Sequence, residues 1–367
     1  MGIDLGSVEF YAGPPVLGGP DDLDGVIRDF IAGAAETLLV AVQELDSRTI
    51  AESIVAARGR KLRVQTILEG DYLRESPALA DPWATTGENE TNRIIHAALL
   101  RAGIDLVTDL NPKIFHQKFI VRDPGRDTAA VLTGSTNFTR TDTGVNPPDN
   151  PEQVGNNLNH LVILRGQTAA NLYLAEFQRM RSGTFGALNE RVTSRPAEFR
   201  LGRIRVKPIF APYHGPEMEI MKQMLKARER VDFAMFTFAR SSGIDDTMAW
   251  LLKAGIPIRG VLDRGQGSQE WAATKQLLQA GAQLYENTFG NGVRKVHHKL
   301  MIIDRRLVVA GSFNFTAPAN TLNDENIVVL GDLEETDPAA ETAQRKLAAY
   351  ALTEIDRIVA ELSHPIT

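Results

Sequence analysis

The stretch IFHQKFIVRD at residues 114–123 and the stretch VHHKLMIID at residues 296–304 decide how this chain is interpreted. Each contains a histidine, a lysine two residues later and an aspartate five residues after the lysine. One match to so short a pattern is weak, because it also arises by chance. Here each match is followed by Gly-Ser-x-Asn-Phe-Thr, in VLTGSTNFT at 131–139 and VVAGSFNFT at 308–316. The paired patterns therefore indicate an internal repeat.

The sequence around these patterns repeats in the same order. Residues 26–73 and 219–267 each predict helix, strand, helix and strand, with helical spacing followed by short apolar runs. Two further segments, RIIHAALLRAGIDLV and ATKQLLQAGAQLY, each predict a helix that ends at an Ala-Gly pair, where Gly103 and Gly281 suit a left-handed residue. We expect two halves, residues 1–190 and 200–367.

Strands that alternate with helices predict an α/β fold with a largely parallel sheet. The later strand pairs, joined by DPGRDTAA and by DRRL, predict antiparallel hairpins. We therefore expect a mixed β-sheet flanked by helices in each half, with the halves packed in pseudo-twofold symmetry. Residues 342–362 predict a closing helix, and the Pro-, Asn- and Gly-rich residues 139–157 predict a loop.

Composition excludes some classes of site. The 367 residues include no cysteine, so disulfides, thiolate zinc sites and cysteine nucleophiles are excluded. The net charge of −6 argues against nonspecific coating of nucleic acid but leaves room for a small basic cleft. The first residues do not resemble a secretion signal, and no apolar run is long enough to span a bilayer. We expect a cytoplasmic protein without a transmembrane segment.

With these motifs the chain resembles the phospholipase D superfamily along both halves. The second half looks most similar to the small bacterial nucleases of that superfamily, which form dimers to complete a site. A single chain with both motifs is similar to the two-motif phospholipases and cardiolipin synthases. The resemblance implies one catalytic site, built without a metal or cofactor from both motifs: His116, Lys118, Asp123, His297, Lys299 and Asp304.

Strand geometry assigns the motif residues to different faces. Side chains alternate along a strand, so His116 and Lys118 share one face, as do His297 and Lys299. An aspartate five residues after the lysine turns to the other face. We therefore expect Asp123 and Asp304 to support the structure at the hairpin turns, where aspartate readily caps backbone groups.

The remaining motif residues suit phosphate binding. Two lysines supply positive charge, and four neutral side chains, Ser135, Asn137, Ser312 and Asn314, offer hydrogen-bond donors to a phosphate. A neutral histidine can attack phosphorus while a protonated one donates to the leaving oxygen. The resemblance assigns His116 as nucleophile and His297 as acid and base, although the sequence itself leaves the two interchangeable.

The halves differ at one position of this site. Glu325 follows the second motif where the resemblance implies a glutamate at the substrate site that helps to orient a histidine, but Asn159 stands at the matching place in the first half. One orienting carboxylate is therefore expected to be missing. Strand alternation places His298 opposite His297 as a packing or exposed residue, and His160 is expected to be an ordinary histidine. Three cations, Lys113, Arg294 and Lys295, precede the motif histidines and could guide an anionic substrate.

Three functions remain open from the sequence. The first is a nuclease that cuts DNA or RNA, favoured by the likeness of the second half to small nucleases. The second is a phospholipase D or phosphatidyltransferase acting on phospholipids, favoured by the two motifs in one chain. The third is a noncatalytic scaffold, which the intact motifs argue against. The two motifs in one chain imply that a monomer could be active, and the oligomeric state is open.

Overall fold

The first sheet is built mainly from the N-terminal half. A computed structural model describes residues 2–145, 155–188 and 194–367. Eight strands of the first half lie in this sheet: β1 Ile3–Asp4, β2 Val8–Gly13, β3 Thr37–Val42, β4 Arg63–Leu68, β5 Asp105–Thr108, β6 Lys118–Arg122, β7 Ala130–Gly134 and β8 Asn156–Arg165. Their order across the sheet is β1-β2-β8-β7-β6-β3-β4-β5.

The second half supplies ten strands: β9 Phe199–Leu201, β10 Ile204–Ala211, β11 Val231–Met235, β12 Ile258–Leu262, β13 Gln283–Asn287, β14 Val293–Val296, β15 Lys299–Ile303, β16 Leu307–Gly311, β17 Glu325–Leu330 and β18 Ser363–Pro365. Nine of them form the sheet β18-β13-β12-β11-β15-β16-β17-β10-β9. This order reproduces that of the first sheet and adds β18 at one edge. The exception is β14, which pairs in parallel with β8 of the other half.

The helices occupy the layers around the two sheets. They are α1 Leu23–Ala32, α2 Arg48–Gly59, α3 Glu90–Arg101, α4 Arg140–Thr143, α5 Gln167–Arg181, α6 Pro216–Met224, α7 Ile244–Lys253, α8 Arg264–Gly267, α9 Thr274–Gln279, α10 Ala317–Thr321 and α11 Pro338–Arg357, which continues into a π-helical turn at Ile358–Leu362. Side-chain caps begin several of them; Ser47, for example, accepts a hydrogen bond from the Ile50 amide at the start of α2.

Strand alternation produces three apolar layers. Val121 of β6 and Ile302 of β15 point into a central layer that also holds the apolar faces of α5 and α11. Their neighbours Ile120 and Met301 point outward, under α1–α3 and under α6, α7 and α9 respectively. The two sheets therefore enclose a shared core, and burying it fixes one half against the other.

The expected mixed α/β fold is confirmed, but the expectation of largely parallel sheets is wrong. Within the two strand orders the parallel pairs among the described residues are β3–β4, β4–β5, β11–β12 and β12–β13, where a helix connects the strands, and the other pairs are antiparallel. Each half has a mixed sheet flanked by helices, and the predicted hairpins are the antiparallel pairs β6–β7 and β15–β16. The closing helix is α11, and Gly103 and Gly281 have φ angles of 70° and 100°. Within the predicted loop 139–157, the structure has α4 and the start of β8, while residues 146–154 lie outside the described residues.

The predicted division of the chain between residues 190 and 200 remains a proposal, since both sheets meet in the central core and β14 crosses from the second half to the first sheet. Across the described ranges, none of the helices combines the length and the apolar character needed to cross a bilayer.

Candidate active site

The two motif histidines are each fixed by the backbone of the opposite half. The His116 amide donates to the carbonyl of Asp324, next to β17, at 3.0 Å. The His297 amide donates to the carbonyl of Leu158 in β8, also at 3.0 Å. Both histidines line one cleft of about 860 Å³. The halves therefore meet where their motifs lie.

Each histidine lies just before the strand that carries its lysine. Strands β6 and β15 begin at Lys118 and Lys299, so the expectation that His116 and His297 lie within those strands is wrong. The cause is the contact with the opposite half, because the His116 amide bonds to Asp324 just before β17 and the His297 amide bonds to Leu158 of β8. The lysines reach back instead: Lys118 Nζ donates to the His116 carbonyl at 3.0 Å, and Lys299 Nζ donates to the His297 carbonyl at 2.9 Å.

A carboxylate of the second half holds the histidine of the first. His116 Nδ1 lies 2.7 Å from Glu325 Oε2, and both side chains are buried. Ser312 Oγ donates to the same oxygen at 2.6 Å, and Asn323 Nδ2 donates to Glu325 Oε1 at 3.2 Å. An ionised carboxylate only accepts, so Nδ1 of His116 carries the proton and Nε2 is left for the cleft.

An amide of the first half holds the histidine of the second. His297 Nδ1 lies 2.9 Å from Asn159 Oδ1, which also accepts from Ser135 Oγ at 2.8 Å. The Asn159 amide nitrogen faces the carbonyl of Asn157 at 3.4 Å, which fixes the orientation of the side chain. An amide oxygen only accepts, so His297 also carries its proton on Nδ1.

Burial keeps both histidines neutral in the free protein. Desolvation lowers the pKa of His116 to about 4, although Glu325 opposes this effect. Desolvation and the charges on Lys299 and Lys118 lower the pKa of His297 well below its ordinary value. Desolvation also lowers the pKa of Lys118 to about 8. A bound phosphate anion would favour the protonated form of each of these groups.

The motif aspartates lie away from the cleft. The Asp123 carboxylate accepts from the amides of Ala35, Glu36 and Thr37 at 2.7–2.9 Å. The Asp304 carboxylate accepts from three successive amides, residues 228–230, at 2.8–3.0 Å. Each aspartate thus ties the hairpin after its motif strand to the turn before β3 or β11.

The serines and asparagines of the Gly-Ser-x-Asn segments have separate positions. Both serine hydroxyls, of Ser135 and Ser312, donate to the side chain that holds a histidine, so their hydrogens are already used. The side chains of Asn137 and Asn314 line the cleft. Asn314 Oδ1 accepts from the Thr237 amide at 3.3 Å, which leaves its Nδ2 as a donor toward the cleft.

Cations and aromatic rings surround the two histidines. The cleft is lined by Lys113, Arg294 and Lys295, the cations that precede the motif histidines, and by Arg140 of α4. Its aromatic lining consists of Tyr72, Phe236 and Trp271. The ring of Phe236 lies 5.1 Å from the His297 ring, and Lys299 Nζ lies 5.1 Å from the Phe236 ring.

His298 and His160 form a buried pair behind the site. Their Nδ1 atoms are 3.1 Å apart and their rings stack at 5.4 Å. The Gly311 amide donates to His160 Nε2 at 3.3 Å, so His160 Nδ1 is the donor to His298, and His298 Nε2 faces Glu354 at 3.3 Å. His298 is thus a packing residue, and neither ring is exposed.

Two contacts at the site went unnoticed in the sequence. Gln43, which follows β3, accepts from Lys118 Nζ at 3.0 Å. Asp142 of α4 has Oδ2 3.5 Å from His297 Nδ1. A comparison of the two repeats could have indicated Asp142, since the matching position in the second half is Ala319, which has no carboxylate.

The chain is similar to proteins of known families. The family model described as cardiolipin synthase, PLD-like domain, matches residues 27–181 and 220–347. A Rickettsia bellii protein named phospholipase D is 32% identical over 147 residues, which are 38% of this chain and 67% of that protein. A Chlamydomonas reinhardtii protein named mitochondrial cardiolipin hydrolase is 33% identical over 106 residues, 29% of this chain and 46% of that protein. The chain thus spans between about half and two thirds of these relatives.

Among solved structures, phosphatidylserine synthase of Haemophilus influenzae covers 100% of this chain with 88% of its own, at a TM-score of 0.67 and 13% identity. This likeness shows a shared fold. Because the family model covers most of the chain, and because each of its two segments holds one histidine motif, the chain belongs to the phospholipase D superfamily of phosphodiesterases.

Proposed function

We propose that the chain hydrolyses a phosphodiester bond through a phosphohistidine intermediate and that its substrate is a nucleic acid, DNA or RNA. The observation that carries the reaction is the pairing of two neutral, buried histidines in one cleft, each with Nδ1 held by an acceptor of the opposite half. Each ring can then offer Nε2 to a phosphate bound between them. One histidine can act as nucleophile while the other transfers protons.

The first step forms a bond from His116 Nε2 to phosphorus and breaks the bond from phosphorus to the leaving oxygen. His297, protonated when the anionic substrate binds, donates its proton to that oxygen. Phosphorylated His116 carries positive charge, which Glu325 at 2.7 Å stabilises. Lys118 and Lys299 offset the charge that develops on the phosphate oxygens.

The second step reverses these roles. His297 Nε2 takes a proton from water, the water oxygen bonds to phosphorus, and the bond from His116 to phosphorus breaks. His297 releases this proton when the product leaves the cleft, and His116 returns to its neutral form. The chain's own side chains thus supply the nucleophile, the proton carrier and the positive charge, and we expect activity without a divalent metal.

Nucleic acid is favoured by the lining of the cleft. Most residues that line the cleft are polar, and the cations among them can pair with successive phosphates of a nucleic acid. The rings of Tyr72, Phe236 and Trp271 can stack on unpaired bases. Burial raises the pKa of the lining residue Glu44 to about 8, so this carboxyl is largely neutral at neutral pH and repels phosphate little.

A phospholipid is the second candidate substrate. Relatives named phospholipase D and cardiolipin hydrolase favour it, as does the description of the family model. A lipid substrate would require its apolar tails to lie outside the cleft, because few lining residues are apolar; these are Ile114, Phe236, Ala239, Trp271 and Pro318.

The test is an assay of the purified protein in EDTA with single-stranded DNA, duplex DNA, RNA and vesicles of phosphatidylcholine and cardiolipin. The variants His116→Ala and His297→Ala should each lose activity at least 100-fold. His364→Ala is the matched control, because His364 lies half-exposed on the edge strand β18 and pairs with Glu286 of β13. Cleavage of vesicle lipid without cleavage of any nucleic acid would show that a phospholipid is the substrate. Full activity in either active-site variant would contradict the two-histidine reaction.

A further inference from the structure

The two catalytic histidines have partners of unequal charge. Asn159, the fourth residue of β8, and Glu325, the first residue of β17, lie at matching places opposite the ends of β2 and β10, and each accepts a hydrogen bond from the serine of its own half. Glu325 can bring a negative charge to His116, whereas the Asn159 amide is neutral. If the two histidines both carry positive charge during the reaction, His297 lacks the carboxylate that His116 has.

A carboxylate nevertheless lies beside His297. Asp142 is buried, with 1% of its surface exposed, and its Oδ2 is 3.5 Å from His297 Nδ1. It belongs to α4, a short helix inside the first-half segment 139–157. Throughout residues 2–145, 155–188 and 194–367, His297 is the basic side chain in ion-pair contact with Asp142.

The second half has no carboxylate at the corresponding position. Thr139 begins α4 and accepts a hydrogen bond from the amide of Asp142; Thr316 begins α10 and accepts one from the amide of Ala319. Asp142 and Ala319 are therefore structural equivalents. The second half thus has a glutamate on its strand and an alanine on its helix. The first half has an asparagine on its strand, Asn159, and an aspartate on its helix, Asp142.

Other contacts hold the Asp142 carboxylate in place. The amide of Asn137 donates to Oδ2 at 2.7 Å, and Asn157 Nδ2 donates to Oδ1 at 2.5 Å. These two donors fix the direction of the carboxyl group. The chain thus holds a buried acidic side chain in place beside the ring of His297.

We infer that Asp142 is the positioning residue of His297: its carboxylate, which lies on the helix and not on the strand, stabilises the protonated ring during proton transfer. The inference rests on the proposed function of the site. It also gives the histidines different tasks, because His116 has a carboxylate in direct contact with Nδ1, whereas His297 has an amide in contact and a carboxylate 3.5 Å away.

The test uses bis(p-nitrophenyl) phosphate, a chromogenic phosphodiester that requires no assumption about the natural substrate. Asp142→Asn keeps the shape of the side chain and removes its charge. We expect kcat to fall roughly 10- to 100-fold, in the range seen when a carboxylate that orients a functional histidine is lost. The acid limb of the pH profile should move about one unit lower, since His297 acts as base in the hydrolysis step and its protonated form loses its stabilising charge. Asp142→Asn combined with Asn159→Glu restores a carboxylate at the place Glu325 has in the other half and should recover most activity.

Asp46→Asn is the matched control. Asp46 also lines the cleft and also accepts a backbone hydrogen bond from α4, from the amide of Arg140 at 2.7 Å. It should leave the acid limb unmoved. A wild-type chain no more active than His297→Ala would overturn the proposed function itself. An active wild type with an unshifted profile in Asp142→Asn, or a folded double variant as inactive as the single one, would overturn the role of Asp142.

Discussion

Consider the replacement of Asp123 by alanine, which removes the carboxylate that ends the first motif. That carboxylate accepts from the amides of Ala35, Glu36 and Thr37 and from the hydroxyl of Thr128 at 2.7 Å. An unsatisfied backbone donor costs about 1–3 kcal/mol, and we take the lower value because these residues are near the surface. Asp123 also has a φ of 51°, which costs alanine about 1 kcal/mol. The expected loss is roughly 4 kcal/mol of unfolding free energy.

Asp123→Asn should lose only about 1–2 kcal/mol, because asparagine tolerates this backbone conformation and keeps one acceptor oxygen. The matching variants of Asp304, which has a φ of 52° and three amide donors, should show the same ranking. Urea unfolding gives the stabilities, and kcat per folded molecule should stay within about threefold of wild type, since a few kcal/mol of lost stability at a remote turn leaves the folded site unchanged. A folded, fully stable Asp123→Asn variant with kcat reduced 100-fold would refute the structural role.

Two further predictions concern histidines. Brief reaction of His297→Asn with a phosphodiester that carries one good leaving group should leave the phosphoryl group, with its remaining ester, on His116, because this step needs little acid while hydrolysis needs the missing base. Mass spectrometry locates this adduct, and label on any other residue would contradict the assignment. Burial lowers the pKa of His160 well below its ordinary value and also lowers that of His298. The free energy of unfolding should therefore not depend on these histidines above pH ~6.5. Below that pH each buried neutral histidine should lower it by about 1.4 kcal/mol per pH unit, since only the unfolded chain takes up the protons. Urea unfolding at pH 5 to 8 measures this slope, which counts the protons taken up on unfolding. In His160→Gln the slope should correspond to about one proton fewer, and an unchanged slope would contradict the prediction.

Periodicity was sufficient to predict the repeat and its mixed sheets. Apolar alternation recurs at the same places in both halves, and a hairpin or a helix end depends on residues close in sequence. Alternation also placed Asp123 and Asp304 away from the histidines, which agrees with their contacts at the turns before β3 and β11.

Contacts between the halves could not be predicted in this way. Which histidine Glu325 holds depends on how the two sheets pack, and one sequence gives no measure of that packing. The same limit applies to His116, whose backbone leaves the strand pattern because it bonds to Asp324 of the other half. Asp142 was missed because its carboxylate comes from a helix within a segment that local composition marks as a loop.

The exchange of partners between halves explains how a nearly symmetric scaffold can give its histidines unequal chemistry. The pseudo-twofold symmetry places both rings at one cleft with Nδ1 turned away from it, but it does not determine the charge of the group that each Nδ1 contacts. The carboxylate near each ring comes from the opposite half. Glu325 is in direct contact with His116, whereas the direct contact of His297 is the Asn159 amide and Asp142 lies beside the ring at 3.5 Å. A ring that must carry a phosphoryl group gains most from a carboxylate in contact, while a ring that must gain and release a proton in each cycle needs a weaker hold. Unequal partners on equal strands are therefore a physical reason to assign the nucleophile to His116.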